Sequence, residues 1–475
     1  MKIESTSENK KRQKTSVFYS SSTVFLVNHN PNIGVTTEVS LLNHFLIKRG
    51  IVNVRATVYL REINGDLVDS RTIILSESKT YTIDPCVNIN RPFLGSVYIE
   101  FESDENLAIP FCAVVVAIKS EGSVCAVHTY GRRLEAQEIG GKMDLPETKE
   151  TGWTLRDSDL VTSFAAFHSG REASEMKFEI EVKNSFGSVI SSKFRQVVNA
   201  YETVLLQPKE LFPGLVTFLS GDLGHAKVKI KGLKGVFPRM LCGNFAGKDS
   251  DDVDLNRARE MQFTHTNFDF GYMEQSDSIG NRGYFNQPDL PGGYGIVYPV
   301  ATSKKILVGG EKYHSDQIFK FNSNGFDQTN VECINSNLPT RFVTASVGIW
   351  PNGKVESECS TGTYVEDYLA YPCHWHWGLL KPGFSDGESV ISIILNKFDN
   401  KKLSDRNLKL RIFDESGLIK EKSILLRKSL LLNDINVSAT KGSVWFVLNG
   451  ERLEDLNIFA THYPANRVGF CEHAF

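Results

Sequence analysis

The segment YPCHWHWG, residues 371–378, sets His374 and His376 one residue apart. In an extended strand, residues two apart face the same side, so both imidazoles would project together. Two imidazoles side by side are typical of a site for a divalent metal. We therefore predict a divalent metal cofactor bound by His374 and His376, with His473 near the end of the sequence as a third ligand. The alternative is that these imidazoles only form hydrogen bonds across a sheet or an interface.

A second kind of chemistry is suggested by aromatic rings and by a polar ladder. Tryptophan side chains offer flat apolar faces on which a sugar ring can stack, and they also dominate the burial of cores. In the segment FTHTNFDF, alternate residues are polar and would share one face of a strand. The residues predicted to bind a small polar ligand or a glycan are Trp350, Trp375, Trp377, His265, Asn267 and Asp269.

Other sites are not supported by the motifs present. The sequence contains no G-x-G-x-x-G or G-x-x-x-x-G-K-[ST] segment, so a nucleotide phosphate loop is not predicted. It also lacks the G-x-S-x-G turn that presents a serine nucleophile. Catalytic residues therefore stay unassigned, and whether the protein is an enzyme is left open.

The composition describes an ordinary globular protein. The chain has 475 residues, 41% of them hydrophobic and 23% charged, which suggests two to four domains. The net charge of −3 argues against a nucleic-acid partner. Neither a secretory signal nor a transmembrane segment is predicted, and eight scattered cysteines form no C-x-x-C pair, so we expect a cytoplasmic protein. Residues 1–16 are expected to form a flexible polar arm.

Period-two strands joined by glycine turns recur three times along the chain. VRATVYL (54–60), MKFEIEV (176–182) and LKLRIF (408–413) are each followed by a glycine-containing turn and a second strand, which is the pattern of a β-hairpin. Each hairpin is followed by a short segment beginning with glycine: GSVYIEF, GLVTFLSG and GSVWFVLNG. We interpret these three segments as strands.

Histidine-bearing strands flank each hairpin. Those before it carry His29, His168 or His374 with His376, and those that close each repeat carry His128, His265 or His473. This order predicts internal repeats over 17–140, 153–275 and 338–475. Residues 276–337, rich in glycine and aromatic residues, are predicted to form an ordered excursion between the second and third repeats.

Short strands with regular turns must bury one face of each sheet against another. The sequence therefore predicts an all-β fold of three antiparallel β-sandwich or jelly-roll-like repeats. Three similar sandwiches could pack around one axis as an intramolecular pseudo-trimer. Three classes of function remain open. They are a non-catalytic protein that binds a polar ligand such as a carbohydrate, an assembly protein, and a metal-dependent enzyme using the His-x-His site.

Overall fold

The computed structural model of the protein describes most of the chain. The described residues are 18–19, 23–104, 113–128, 132–133, 148–232, 236–237, 240–248, 254–264, 282–298, 306–314, 317–322, 326–333, 341–364, 373–395, 405–433, 435, 437 and 440–474. The predicted arm over 1–16 lies outside these residues, as do His265, Asn267 and Asp269. Within them strands in antiparallel sheets predominate and helices are few and short, so the prediction of an all-β fold is confirmed. No helix among these residues is long and apolar enough to cross a membrane.

The first group of strands, which we call strand set 1, forms two sheets. Its members are β2 (Thr23–His29), β3 (Thr36–Leu42), β4 (Val54–Glu62), β5 (Leu67–Leu75), β6 (Thr80–Ile83), β7 (Phe93–Ser103), β8 (Val114–Lys119) and β9 (Val124–His128). One sheet has the order β2–β7–β4–β5 and the other the order β6–β3–β8–β9. The short strand β1 (Phe18–Tyr19) also pairs with β7, while β10 (Arg132–Arg133) lies beyond β9. A 3-10 turn (Pro31–Ile33) and helix α1 (His44–Arg49) connect strands.

Strand set 2 repeats this arrangement. Its members are β11 (Thr148–Leu155), β12 (Thr162–His168), β13 (Ser174–Lys183), β14 (Val189–Val198), β15 (Thr203–Leu206), β16 (Gly224–Lys231), β18 (Met240–Ala246) and β19 (Glu260–Thr264). The sheet orders are β11–β16–β13–β14 and β15–β12–β18–β19. The short strand β17 (Val236–Phe237) pairs with β10. Helices α2 (Pro208–Leu211) and α3 (Leu215–Leu219) and a 3-10 turn (Leu255–Arg257) complete the set.

Strand set 3 spans fewer residues than the other sets, from 282 to 364. Its members are β20 (Arg282–Gln287), β21 (Gly293–Val297), β22 (Ile306–Val308), β23 (Glu311–Tyr313), β24 (Phe319–Asn322), β25 (Asp327–Cys333), β26 (Arg341–Gly348) and β27 (Ser357–Tyr364). The orders are β20–β25–β22–β23 and β24–β21–β26–β27. Strand β27 also meets β19 in parallel at a single residue pair, which joins sets 2 and 3 into one eight-stranded sheet.

Strand set 4 ends the chain. Its members are β28 (Trp375–Lys381), β29 (Gly387–Leu395), β30 (Arg406–Asp414), β31 (Gly417–Leu426), β32 (Leu430–Leu432), β33 (Val444–Gly450), β34 (Leu456–Pro464) and β35 (Phe470–His473). The orders are β28–β33–β30–β31 and β32–β29–β34–β35, and a 3-10 turn spans Leu453–Asp455.

All four sets share one strand order. With the strands of a set numbered from one to eight, the first sheet is always 1-6-3-4 and the second is always 5-2-7-8. We call these two sheets of each set the 1634 sheet and the 5278 sheet. The grouping differs from the predicted boundaries, because β21, which lies in the predicted excursion at 276–337, pairs with β26, which the sequence assigned to the last repeat.

Alternation along the strands places the core between the two sheets of each set. Strand β13 alternates buried and non-buried residues along its length, and its buried Phe178 and Ile180 meet Phe167 of the opposite sheet in one hydrophobic cluster. Strand set 4 is built in the same way, with Leu410 and Phe446 of one sheet packed with Ile391 of the other. Clusters of this kind give each set its own apolar centre.

The second face of the 5278 sheet is also buried where sets meet. Phe164 and Phe245 of set 2 join the core cluster of set 1, and Val115 of set 1 packs with Trp445 of set 4. The last strands of the four sets contact one another in a closed cycle of β9, β19, β27 and β35. Such head-to-tail contacts close into a ring when the rotation between units allows it.

Two sequence interpretations are wrong. The segment GLVTFLSG, interpreted as a strand, contains helix α3. Gly214 and Ser220 adopt left-handed backbone conformations at the two ends of this single helical turn. Its Leu215 and Leu219, four residues apart on one face, pack in the core of set 2. The histidine strands before the hairpins are also not equivalent. His29 lies on the first strand of its set, whereas His168 lies on the second strand of set 2.

Candidate functional site

A cleft at one end of the 1634 sheet of set 4 contains two of the predicted site residues. Its volume is about 370 Å³, which falls within the range of pockets that hold small ligands. We call it the Trp375 cleft, and its lining residues are His374, Trp375, Asp405, Arg406, Asn407, Asn449, Gly450, Glu451 and Arg452. Three neighbouring strands contribute to it, since β28, β33 and β30 all reach this edge of the sheet.

Strand register explains why these side chains meet. Trp375 lies directly opposite Asn449 on the central strand β33, and cross-strand partners have adjacent side chains. The Trp375 ring is half-buried against the junction between sets 1 and 4. The Arg411 guanidinium lies 5.2 Å from the centre of this ring, which is within the range of a cation–π contact. The indole is therefore held in place before any ligand arrives.

Polar groups surround the indole. His374 is exposed, and its Nδ1 lies 3.3 Å from the Gly450 carbonyl oxygen. The Arg406 guanidinium is buried and donates to the Arg452 carbonyl oxygen at 2.7 Å. The Oδ1 atom of Asn449 is buried and accepts no hydrogen bond from any residue that the structure describes. An aromatic plane with donors and acceptors on its rim suits a polyhydroxylated ligand.

His376 does not share the environment of His374. Its Nε2 lies 3.4 Å from the Leu453 carbonyl oxygen and 3.6 Å from the Cys373 sulfur. Burial lowers the pKa of His376, so the imidazole is neutral at neutral pH. Within the described chain, neither His374 nor His376 belongs to a group of three close potential metal ligands.

The other two predicted tryptophans contact neighbouring side chains outside the Trp375 cleft. Trp377 stacks on His44 of set 1 with ring centres 5.5 Å apart, and the Lys48 amine lies 4.7 Å from its ring centre. Trp350 is buried, and its indole N–H donates to the Ser357 hydroxyl at 2.7 Å. Both environments fit the alternative interpretation of these residues as core aromatics.

His473 lies in a different cluster from the one predicted. It meets His128 and Glu472 where the last strands of sets 1 and 4 touch, with the three ligand atoms within 4.8 Å of one another. The Glu472 carboxylate is fully buried and lies within hydrogen-bond distance of the His128 Nδ1 atom. The ring centres of His128 and His473 are 4.6 Å apart in an edge-on arrangement. We call this the 4–1 junction cluster, and its two imidazoles and one carboxylate could hold a divalent metal.

The pairing of Glu472 with His473 differs from what alternation predicts. Neighbouring strand residues face opposite sides, yet the Nδ1 of His473 lies 3.9 Å from an oxygen of Glu472. His473 is the last residue of β35 and pairs with Phe459 of β34. The contact of Glu472 with His128 links residues 344 positions apart, which no local sequence pattern can indicate.

A buried polar network at the junction of sets 2 and 3 was not predicted from the sequence. Arg156 donates to Glu358 at 2.6 Å, and Glu358 accepts a further bond from Tyr298. Burial lowers the pKa of Arg156, but nearby Tyr294 and Glu358 raise it above its ordinary value, so the guanidinium stays charged. An arginine followed by an aspartate in the sequence gives no signal for such burial, because these residues are usually exposed.

Comparisons with known proteins identify no family. No protein-family model matches the chain, and no curated protein matches it. Among solved structures, it is similar over 96% of its length to a tetra-tandem repeat in the extending region of a large adhesion protein, at 9% identity, 97% coverage of that chain and a TM-score of 0.10.

Two further solved structures show similarly weak likeness. The BSP domain of a biofilm associated protein matches at 8% identity, 96% coverage of both chains and a TM-score of 0.15. A GH78 family rhamnosidase of Bacillus sp. GL1 matches at 7% identity and a TM-score of 0.14, with 96% of this chain and 53% of that chain covered. TM-scores this low carry no argument about function.

Proposed function

We propose that the protein is a non-catalytic binding protein built of β repeats, and that its Trp375 cleft binds a carbohydrate. One observation carries this proposal. The half-buried indole of Trp375, in contact with Arg411, lines one cleft of about 370 Å³ together with polar side chains from three neighbouring strands and their ends. A sugar ring has an apolar face that stacks on an indole and hydroxyls that bond to side chains on the rim.

The lining of the cleft favours a sugar over a purely ionic ligand. Its charged side chains carry both signs, with Asp405 and Glu451 near Arg406 and Arg452. Hydroxyl groups can donate to carboxylates and accept from guanidinium groups, so one polyol can meet both kinds of partner. The buried Asn449 oxygen supports this interpretation, because a ligand hydroxyl could supply its hydrogen bond.

The test is a glycan array followed by calorimetric titration of any sugar that binds. The Trp375→Ala variant should lose about tenfold or more in affinity, which corresponds to about 1.4 kcal/mol of lost binding energy. Phe186→Ala is the matched control, because it removes an aromatic side chain that is 76% exposed and lies far from set 4 in sequence. Equal affinity of the Trp375→Ala and wild-type proteins would refute the assignment of this cleft.

A second candidate function is divalent metal binding at the 4–1 junction cluster. The specific observation is that His128, Glu472 and His473 place three potential ligand atoms within 4.8 Å of one another. Two imidazoles with one carboxylate form a ligand set used for zinc and for non-haem iron. A metal there would also tie the first strand set to the last, at the junction where the ring closes.

Metal analysis of purified protein separates this cluster from the predicted His-x-His pair. Wild-type protein and a His374→Ala/His376→Ala variant should both bind about one Zn²⁺ and gain thermal stability from it. The His128→Ala/His473→Ala variant should bind none and show no such gain. Metal retained by that variant, or absent from wild type, would contradict the candidate.

A further inference from the structure

A cavity of about 180 Å³ lies at the junction of strand sets 2 and 3, beside the buried Arg156–Glu358 pair. Arg156, Asp157 and Asn244 of set 2 line one side of it, and Tyr294, Lys354 and Glu356 of set 3 line the other. We call it the 2–3 pocket. It is far larger than the roughly 30 Å³ that one water takes up in the liquid, and smaller than pockets for drug-sized compounds.

Buried polar atoms without partners mark this pocket. Asn244 is 1% exposed, and neither its amide nitrogen nor its amide oxygen has a hydrogen-bond partner among the described residues. Asp157 is 2% exposed, and its Oδ1 accepts a hydrogen bond from the Ser163 N–H. Its Oδ2 has no hydrogen-bond partner among the residues that the structure describes. Arg156 donates to Glu358 through Nη2, and neither its Nη1 nor its Nε, which lies 3.4 Å from Glu356, makes a hydrogen bond to any described residue.

These atoms would be costly to bury without a ligand. An unsatisfied buried polar group destabilises a fold, and native proteins keep few of them. Here five such atoms belong to three side chains that line one cavity, and none of the three residues is more than 8% exposed. The concentration of unmet hydrogen bonds at a single pocket indicates a built binding site.

The kind of ligand follows from the balance of donors and acceptors. The unmet donors are Nε and Nη1 of Arg156 and Nδ2 of Asn244. The unmet acceptors are Asn244 Oδ1 and Asp157 Oδ2. An anion could satisfy only the donors. The charges of the lining also cancel, because three cationic side chains stand against three carboxylates: Arg156, Lys320 and Lys354 against Asp157, Asp222 and Glu356.

We propose that the 2–3 pocket binds a small uncharged polyhydroxyl compound, with Arg156 and Asn244 donating to its oxygens and Asn244 and Asp157 accepting from its hydroxyls. A hydroxyl both donates and accepts, so adjacent hydroxyls match this set of atoms. The ligand contacts side chains of both sets and would therefore stabilise the junction between them. This site does not depend on the Trp375 cleft.

Calorimetric titration with myo-inositol, D-glucose and glycerol tests the proposal, with acetate and phosphate as anionic probes. At least one polyol should bind, and Asn244→Leu should weaken it tenfold or more. Because Asn244 makes no side-chain hydrogen bond within the described chain, the leucine should also raise the thermal unfolding temperature of the free protein. Asn64→Leu, a substitution of the same kind on an exposed turn outside both the 2–3 pocket and the Trp375 cleft, should leave this binding unchanged.

A second variant keeps the test decisive if Asn244→Leu does not fold. Asp157→Asn preserves the size of the side chain and an oxygen for the Ser163 N–H, and it should weaken polyol binding severalfold. Trp375→Ala protein should still bind the polyol, which separates this site from the carbohydrate cleft. Three results would overturn the proposal: no polyol binding at millimolar concentrations, binding of an anion in preference to polyols, or wild-type affinity in both variants.

Discussion

The buried Arg156–Glu358 pair gives a sharp prediction about what holds strand sets 2 and 3 together. The side chains are 5% and 0% exposed, and the charged groups are 2.6 Å apart. Arg156→Met keeps most of the side-chain volume but leaves a buried carboxylate without its cation. Removing one partner of a buried ion pair destabilises a protein by about 3–5 kcal/mol.

The double variant Arg156→Met/Glu358→Gln should be much less damaged than Arg156→Met alone. The introduced glutamine amide would be neutral and could still accept the hydrogen bond from Tyr298. Replacing both charges of a buried pair is often nearly neutral, so we expect about 2–4 kcal/mol of coupling between the two positions. The residual cost should come from Glu356, which lies 3.4 Å from the Arg156 Nε atom.

Scanning calorimetry of the single and double variants measures this coupling. At about 2–4 °C per kcal/mol for a domain of about 150–250 residues, Arg156→Met should lower the unfolding temperature by on the order of 10 °C. Arg427→Met is the matched control, because its pair with Asp405 is more than half exposed and should contribute less than about 1 kcal/mol. Equal losses from Arg156→Met and Arg427→Met would refute the reasoning, as would simple additivity in the double variant.

Two further predictions concern the buried Glu38 carboxyl, where sets 1 and 4 meet, and the strand pair β21–β26 in set 3. Burial raises the pKa of Glu38 from 4.5 to about 7, so the folded protein retains this proton between these values. The stability that this group contributes is full below pH 4.5 and is lost as the pH rises through 7. Glu38→Gln should therefore reduce the fall in thermal unfolding temperature over this pH range. An unchanged fall would contradict a raised pKa at Glu38. In set 3, a Cβ on Gly293 would clash with the Val347 carbonyl oxygen on the paired strand. Gly293→Ala should therefore lower the unfolding temperature by several degrees, and wild-type stability would show that β21 and β26 do not pair as described.

The hairpins were predictable because their signals are local. Period-two alternation and a glycine turn define each one, and Gly65, Gly187 and Gly417 all adopt positive φ in the structure. Strand set 3 gave no such signal, because the strands of its corresponding hairpin, β22 and β23, have only three residues each. Three residues are too few for alternation to stand out from chance.

The sites depend on contacts that a linear sequence does not contain. Trp375 and His374 were found because their types are unusual, and both do line a cleft. The imidazole pair was predicted to act with His473, but the structure places His473 beside His128 of the first strand set. Only the closure of the ring brings that first and last strand set together. Asn244 lies on an ordinary buried strand, and its importance is visible only once its unmet hydrogen bonds are known.

Fluorine NMR of protein labelled with 5-fluorotryptophan tests the carbohydrate proposal most directly. The five tryptophans give five reporters, and Trp153 and Trp445 are fully buried in apolar clusters. Titration with a sugar that binds on the glycan array should shift the Trp375 resonance in a saturable way and leave those of Trp153 and Trp445 in place. Saturable binding without any change at Trp375 would contradict the assignment of the cleft.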